Sequence, residues 1–294
     1  MTLGAISEMG YIAMRTRDYD TSVQIATEVL GLKSTLVDGS RAYLSAADRH
    51  HELVYLNSEE DGIDHIGLKV ENEESLAIVK QRLREAGFPI LSEEPLEAAI
   101  GAGFVVEGPE GYVFHIYASM DSVPHGRLSY GPDRYGHINI HPQDPTRMKD
   151  FFVNLLGFKV SDIIGQDFAY FLRCNVDHHG IALIKGKGTL HHHAWQTQSI
   201  ADLGRLGDRL FSLGRRLIWG PVRHGAGHNM AAYYVEPNGT VVELYTDLEQ
   251  IWDEHRPPIE WDPEDRTWFN RWGVYNGEDF RSHGARPLGF REGR

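Results

Sequence analysis

Three adjacent histidines lie at the centre of a short segment, TLHHHAWQ (residues 189–196), in a chain that has 16 histidines among its 294 residues. A histidine side chain can bind a divalent metal ion or transfer a proton near neutral pH, so this segment is a candidate for either chemistry. The segment otherwise has the pattern of a short strand. Because neighbouring side chains of a strand point to opposite faces, we expect His192 to face one way and His191 and His193 the other.

The rest of the chain consists of two copies of one pattern. The strand-like segments of the first copy are MGYIAMRT (9–16), IDHIGLKV (63–70) and EGPEGYVFHIYA (107–118), and those of the second are YGHINIHP (135–142), HHHAWQTQ (191–198) and VEPNGTVVELYT (235–246). Glycines recur at matching places, as Gly31 with Gly157, Gly87 with Gly214 and Gly111 with Gly239. A nearly constant separation over three pairs indicates an internal duplication.

Each half contains two strand–helix–strand units, which predicts an α+β fold of four repeated βαβββ modules. We expect two tandem domains, residues 1–121 and 132–250, joined by a linker rich in turn-forming residues (119–133). After about residue 250 the repeat ends. The segment 251–294 contains four of the six tryptophans, so we expect it to pack on the body or on a neighbouring subunit. These tryptophans are Trp252, Trp261, Trp268 and Trp272.

Matching strands of the two halves predict a metal site in the second half only. The candidate ligands are His137, His192 and Glu243, and their counterparts in the first half are Tyr11, His65 and His115. Two imidazoles and one carboxylate from three strands form the facial triad that suits divalent iron with open coordination positions. A lone buried histidine is more often structural than a ligand, but three ligand-type residues in register favour the metal site. A tyrosine in place of the first histidine leaves the first half without a complete set.

Composition excludes several other classes of function. The formal net charge of −13 argues against a nucleic-acid backbone or an anionic membrane as partner. No apolar run has the length of a membrane-spanning helix, and the N-terminus lacks the features of a signal peptide. The single cysteine, Cys174, excludes an internal disulfide and a cysteine-rich metal site. We therefore expect a cytoplasmic protein.

The residues around the third candidate ligand resemble the signature of the type I extradiol ring-cleavage dioxygenases of the vicinal oxygen chelate superfamily. In this chain the signature runs from His224 through Ala232-Tyr233, Glu236-Pro237 and Gly239 to Glu243. Ala232 departs from the pattern, because the family usually has a larger apolar residue there. LHH followed by a leucine-rich helix also matches, with the second histidine as ligand. The resemblance covers residues 1 to about 250 and implies that each domain is a curved, incompletely closed mixed β-barrel.

The resemblance also implies which residues hold the metal and which move a proton. His137, His192 and Glu243 would bind Fe(II), or less often Mn(II). His179 would be the acid/base histidine close to the metal. His178 stays open as the alternative, because the spacing to His192 is about one residue shorter here than in some relatives.

Further residues are implied to contact the substrates. His224 and Tyr233 would form hydrogen bonds to dioxygen and to a substrate oxygen, and Asn139 and Trp219 would lie in the substrate pocket. Relatives that act on carboxylated catechols tend to have an arginine just before the GPxRHG stretch. This chain has Ile218-Trp219 there, which favours an uncharged ring substituent.

The implied function is extradiol cleavage of a catechol by O₂, giving a muconic semialdehyde-type product, in a homo-oligomer as is common among relatives. The identity of the catechol stays open. A first alternative is a metal-dependent lyase or isomerase of the same superfamily, which often assembles its ligands from two modules and with a second carboxylate. A second alternative is a non-catalytic ligand-binding or resistance protein on the same scaffold.

Overall fold

The computed structural model describes residues 3–97, 99–124, 130–273 and 279–291. Residues 125–129 of the predicted linker lie outside the described residues. Within the described ranges, no helix is long and apolar enough to cross a membrane.

The first half of the chain forms an eight-stranded mixed sheet. Its strands are β1 (Ile6–Thr16), β2 (Lys33–Val37), β3 (Arg41–Ser45), β4 (Leu53–Asn57), β5 (Gly62–Val70), β6 (Ile90–Ser92), β7 (Ile100–Glu107) and β8 (Val113–Met120). Its helices are α1 (Tyr19–Gln24), which continues as a π-helical segment (Ile25–Leu30), and α2 (Glu73–Glu85), with a 3-10 turn at Pro109–Gly111. The strand order is β2-β3-β4-β1-β5-β8-β7-β6.

The second half forms a nine-stranded mixed sheet. Its strands are β9 (Arg134–His141), β10 (Lys159–Ile164), β11 (Ala169–Arg173), β12 (Ile181–Ile184), β13 (Thr189–Gln196), β14 (Trp219–Arg223), β15 (Met230–Val235), β16 (Val241–Thr246) and β17 (Ile259–Trp261). Its helices are α3 (Pro145–Asp150), with a π-helical continuation (Phe151–Leu155), and α4 (Ile200–Ser212), and 3-10 turns lie at Arg266–Trp268 and Phe280–Ser282. The strand order is β14-β15-β16-β13-β9-β12-β11-β10-β17.

The prediction of four βαβββ modules is confirmed. Each of the four helices follows one strand and precedes three more, and the two modules of each half join through an antiparallel pair, β1 with β5 and β9 with β13. Among the residues that the structure describes, the outermost strands of each sheet do not pair with each other, so neither sheet closes into a barrel.

The two halves share local details that follow from the duplication. The first helix of each half ends in a π-helical segment that is followed by a left-handed glycine, Gly31 (φ 88°) and Gly157 (φ 79°). A Cβ at Gly10 would lie 2.2 Å from the hydroxyl oxygen of Tyr117, and a Cβ at Gly136 would lie 2.0 Å from that of Tyr245. Only glycine permits this close approach of a buried tyrosine, so the same packing solution occurs at the same place in both halves.

The helices cover one face of the sheets and thereby determine which face is available for a site. Leu203, Leu206 and Leu210 of α4 are fully buried and belong to the same apolar core as Trp195 of β13. His193 lies on this covered side, where its Nδ1 accepts a hydrogen bond from the indole of Trp195 at 2.9 Å. The candidate ligand His192 lies on the other face.

The C-terminal segment, described over residues 251–273 and 279–291, packs on both halves. β17 pairs in parallel with β10, and Trp268 and Phe280 are buried. Isolated bridges join Ala285 to Leu190 in the second half and Pro287 to Ile63 in the first.

Candidate metal centre

Three adjacent strands bring the three predicted ligands together. β16, β13 and β9 lie side by side, and Ala194 of β13 pairs in register with both Glu243 and His137. His192 lies two residues before Ala194, so it faces the same side. Ligand atoms of His137, His192 and Glu243 all lie within 4.8 Å of one another, and all three residues are buried.

The Glu243 carboxylate is the centre of this cluster. Its Oε2 lies 3.2 Å from His137 Nε2 and 3.1 Å from His192 Nε2, and its Oε1 accepts a hydrogen bond from the Asn229 amide at 2.9 Å. Burial would raise the pKa of Glu243, but the two imidazoles lower it well below its usual value. Burial lowers the pKa of His192 to about 4. At neutral pH the carboxylate is therefore ionised and this imidazole neutral, which are the forms that bind a metal ion.

The corresponding residues of the first half are joined to one another by hydrogen bonds. The Tyr11 hydroxyl lies 2.7 Å from His65 Nε2 and 2.7 Å from His115 Nδ1. The phenol ring lies over Gly67, where a Cβ would come within 2.0 Å of it, whereas the second half has Ala194 at this position. Tyr11 therefore fills the space between the two histidines with its own hydroxyl.

A cavity of about 450 Å³ borders the metal cluster. Of the residues predicted for the site, His137, Asn139, His179, His192, His224, Tyr233 and Glu243 line it. The Asn139 side-chain oxygen is buried and forms no hydrogen bond within the described residues. A ligand hydroxyl that donated a hydrogen bond to this buried oxygen would therefore be stabilised there.

His179, and not His178, borders the cavity. The His179 ring lies 4.4 Å from the His137 ring, centroid to centroid, and burial lowers its pKa well below the usual value. His178 lies behind it, with its Nδ1 3.0 Å from His179 Nδ1 and its Nε2 3.1 Å from the Asp162 carboxylate. The geometry therefore favours His179 as the residue that meets a substrate and His178 as its support.

His224 and Tyr233 form a hydrogen-bonded pair in the cavity wall. His224 Nε2 lies 2.6 Å from the Tyr233 hydroxyl, and His224 Nδ1 lies 2.6 Å from the backbone carbonyl oxygen of Phe269. Because a carbonyl only accepts, Nδ1 carries the proton, and burial lowers the pKa of His224. Nε2 of the neutral ring therefore accepts a hydrogen bond from Tyr233.

The structure corrects the predicted substrate contact of Trp219. Its ring does not line the cavity; it stacks between Tyr233, at 5.2 Å, and Phe269, at 4.6 Å. In the register of β14 and β15, Trp219 pairs with Tyr233, so the two rings lie side by side on one face of the sheet. Trp219 thus packs against the cavity residue Tyr233 from the side.

The expectation that His191 faces away from His192 was wrong. In the pairing of β13 with β9, Leu190 lies opposite Ile140 and His192 opposite Asn139, so His191 is the extra residue of a β-bulge. A bulge interrupts the alternation of side chains. His191 accordingly lines the cavity beside His192.

Several cavity residues were not predicted from the sequence. Asn229 lies in a glycine-rich loop, where no spacing rule marks it. His141 stacks on His191 with ring centroids 4.7 Å apart, and burial lowers its pKa to about 3. The C-terminal segment contributes aromatic lining through Trp268, Phe269 and Phe280, which the density of tryptophans in that segment could have indicated.

The residues present fit a divalent iron or manganese ion. Two imidazole nitrogens and one carboxylate oxygen converge from three strands, and this donor set suits such ions. Within the described residues, no second carboxylate belongs to the cluster.

A family model described as the Glyoxalase/Bleomycin resistance protein/Dioxygenase superfamily matches residues 8–116 and 134–244. A manganese-dependent 2,3-dihydroxybiphenyl 1,2-dioxygenase of Geobacillus genomosp. 3 is 26% identical over 283 residues, which cover 87% of this chain and 90% of that protein.

Two solved structures share the architecture. A Mn(II)-bound glyoxalase from Novosphingobium aromaticivorans is 30% identical, with a TM-score of 0.90 and 97% of each chain covered. A homoprotocatechuate 2,3-dioxygenase from Brevibacterium fuscum is 24% identical, with a TM-score of 0.91 and coverage of 97% of this chain and 94% of that one. At this lower identity the likeness shows the fold alone.

Replacing Asn229 by alanine is expected to weaken metal binding. The variant removes the hydrogen bond that holds Glu243 Oε1, and loss of such a partner typically lowers metal affinity about 10–100-fold. Titration of the metal-free protein with Mn(II) against a competing chelator measures the effect. Asn139→Ala is the matched control, because Asn139 lines the cavity without touching Glu243; equal losses in both variants would contradict the assigned contact.

Proposed function

This chain belongs to the Glyoxalase/Bleomycin resistance protein/Dioxygenase superfamily and is an oxidoreductase of the extradiol ring-cleavage type, and we propose that it cleaves a catechol with an apolar substituent. Both oxygen atoms of O₂ enter the product, a muconic semialdehyde-type compound. His137, His192 and Glu243 hold the divalent iron or manganese ion. The observation that carries the proposal is this buried cluster on the wall of a cavity that also contains His179, His224 and Tyr233.

The bound metal ion supplies Lewis acidity, which favours the catecholate over the catechol at neutral pH. The His224–Tyr233 pair is placed to accept the proton that the substrate hydroxyl loses. Because the Tyr233 hydroxyl donates to His224 Nε2, a lone pair of its oxygen is available to a substrate hydroxyl. As Tyr233 takes the substrate proton, its own proton can pass to His224 Nε2, and the Phe269 carbonyl stabilises the resulting imidazolium.

His179, which is neutral because burial lowers its pKa, is placed to take the proton of the second catechol hydroxyl and to return it at the reacting oxygen atoms while the O–O bond breaks. Its ring lies against His137, and the His178–Asp162 pair supports it from behind. Asn139 is placed to orient the catechol through its side-chain amide.

The size and lining of the cavity support an apolar substituent on the catechol. A dry cavity of about 150 Å³ is sufficient for benzene, and this one has about 450 Å³. Apolar side chains of one cluster line it, namely Phe168, Phe171, Ala182, Ile184, Ala226 and Trp268. The charged lining residues Glu264, Arg266 and Arg281 are exposed to solvent, so their charges act at the rim.

A lyase or isomerase activity is the second candidate, because one of the similar structures is described as a glyoxalase. Such a reaction consumes no O₂. The single carboxylate in the described cluster favours the dioxygenase, and oxygen uptake during turnover separates the two.

Anaerobic reconstitution with Fe(II) or Mn(II), followed by a catechol and O₂, is expected to give a yellow ring-fission product with one O₂ consumed per catechol. Glu243→Ala is expected to lose both metal and turnover, because the only carboxylate of the described cluster is removed. Glu236→Gln is the control, since Glu236 is a buried carboxylate that contacts Tyr55 away from the cluster. Full activity of Glu243→Ala would refute the site.

His179→Phe is expected to retain the metal and to lower kcat about 100-fold or more, as expected when a general acid is removed. His178→Phe is expected to lower kcat less, because His178 acts only through His179. Single-turnover kinetics with metal-loaded protein measure both rates. The reverse order of the two losses would assign the proton transfer to His178.

Ala182→Leu is expected to lower kcat/KM for 3-phenylcatechol about 10-fold or more, because full burial of an aromatic group contributes roughly 1.5–3 kcal/mol that the narrowed cavity no longer provides. Unsubstituted catechol should be nearly unaffected. Ala169→Leu controls for overpacking, since Ala169 belongs to the same apolar cluster but does not line the cavity. Equal losses for both substrates would contradict the apolar subsite.

A further inference from the structure

The bulge residue His191 connects the ligand His192 to the C-terminal segment. His191 Nδ1 lies 2.8 Å from His192 Nδ1, and His191 Nε2 lies 2.7 Å from the backbone carbonyl oxygen of Phe280. Regular alternation would have turned His191 to the helix-covered face, so the bulge is what permits both contacts.

The Phe280 carbonyl, at one end of this series of hydrogen bonds, determines which ring nitrogens of His191 and His192 carry protons. The Phe280 carbonyl can only accept, so His191 Nε2 carries a proton. One hydrogen fits between the two Nδ1 atoms. His191 is 1% exposed and forms no ion pair with a carboxylate within the described residues, so a charged His191 would be uncompensated. His191 Nδ1 therefore accepts, and His192 Nδ1 carries the hydrogen.

This proton arrangement leaves His192 Nε2 with a free lone pair on the side of the metal cluster. His192 Nε2 lies 3.1 Å from Glu243 Oε2. A nitrogen lone pair beside an ionised carboxylate oxygen is stabilised by a cation that both can bind. The alternative tautomer, with the proton on Nε2, would occupy the lone pair that a metal ion needs.

The first half has the same arrangement with different side chains. In the pairing of β1 with β5, Ala13 lies opposite His65 and Met14 opposite Ile63, so Asp64 is the bulge residue there. Its Oδ1 lies 2.6 Å from His65 Nδ1, and its Oδ2 accepts from Arg15 Nε at 2.6 Å. Arg15 in turn donates to the carbonyl oxygen of Gly289 at 3.3 Å. In both halves, the residue before the strand histidine accepts from its Nδ1 and connects to a backbone carbonyl of the C-terminal segment.

We propose that His191 is a positioning residue which, through the Phe280 carbonyl, holds His192 in the Nδ1–H tautomer and so prepares Nε2 for the metal ion. This proposal rests on the proposed function only in taking His192 as a ligand. The C-terminal segment thereby determines which ring nitrogen of His192, a ligand on β13, carries the proton. The Phe269 carbonyl of the same segment likewise determines that Nδ1 of His224 carries the proton.

Two variants of His191 separate its two contacts. His191→Asp places an acceptor at the Nδ1 position, as Asp64 does in the first half, and loses the contact with the Phe280 carbonyl. His191→Gln reaches the Nε2 position and can donate to that carbonyl, but offers His192 Nδ1 no acceptor. His193→Gln is the control for a neighbouring buried histidine, because His193 contacts Trp195 and lies near Glu236 on the covered face.

The first measurement is ¹⁵N NMR of the histidine rings in the metal-free protein. The proposal predicts a protonated Nδ1 on His192 and a protonated Nε2 on His191 in the wild type. The Nδ1 proton of His192 should persist in His191→Asp and His193→Gln and be depleted in His191→Gln. The second measurement is the Mn(II) dissociation constant, which should rise about 10–100-fold in His191→Gln alone, as for loss of a hydrogen-bond partner of a ligand.

An unprotonated His192 Nδ1 in the wild type would overturn the proposal without any variant being needed. Wild-type Mn(II) affinity in a folded His191→Gln protein would overturn it as well. If the tautomers are as predicted but the wild type binds neither Mn(II) nor Fe(II), the hydrogen-bond arrangement of His191 and His192 is confirmed and the proposed function is refuted.

Discussion

The arrangement of the second half depends on the burial of one carboxylate, that of Glu243. An ionised carboxylate in a protein interior is stable only when each oxygen has a compensating partner. Asn229 donates to Oε1, and Oε2 lies beside His137 Nε2 and His192 Nε2, where a divalent cation bound by all three residues would compensate its charge. These partners come from β9, β13 and the loop before β15, so the neighbouring strands at the centre of the sheet must keep their register for the charge to remain compensated.

The first half shows what the same scaffold becomes without that charge. Its strands converge in the same way, but the Tyr11 hydroxyl bridges His65 and His115 and fills the space between them. The ring needs Gly67 beneath it, so the exchange of a histidine for a tyrosine involves two positions of the sheet. The Tyr11 hydroxyl thus occupies the place that a cation would take between the two histidines, and this half provides a scaffold onto which the second half and the C-terminal segment pack.

The sequence predicted the four modules and the His137, His192 and Glu243 cluster because duplication supplies its own comparison: positions that differ between copies stand out against those that match. It did not predict the location of His191, because a bulge is one extra residue in strand pairing and periodicity assumes that there is none. Trp219 was assigned to the pocket by its neighbourhood in the chain, but its ring stacks beside Tyr233 and against Phe269. Asn229 reaches Glu243 from a loop whose path depends on tertiary packing alone.

The C-terminal segment lies outside the duplication, so it can make different contacts with the two halves. Repeated modules produce similar sheets in the two halves. A site that binds and converts a substrate needs different side chains on its two sides. The segment adds Trp268, Phe269 and Phe280 to the cavity of the second half, and two of its carbonyls accept hydrogen bonds from His191 and His224. A carbonyl cannot donate, so each contact leaves one proton arrangement for a neutral ring. In the first half the segment reaches the strand histidine His65 through Arg15 and Asp64. Part of the asymmetry between the halves thus comes from a segment outside the repeat, whose carbonyls accept hydrogen bonds from His191 and His224 of the second half.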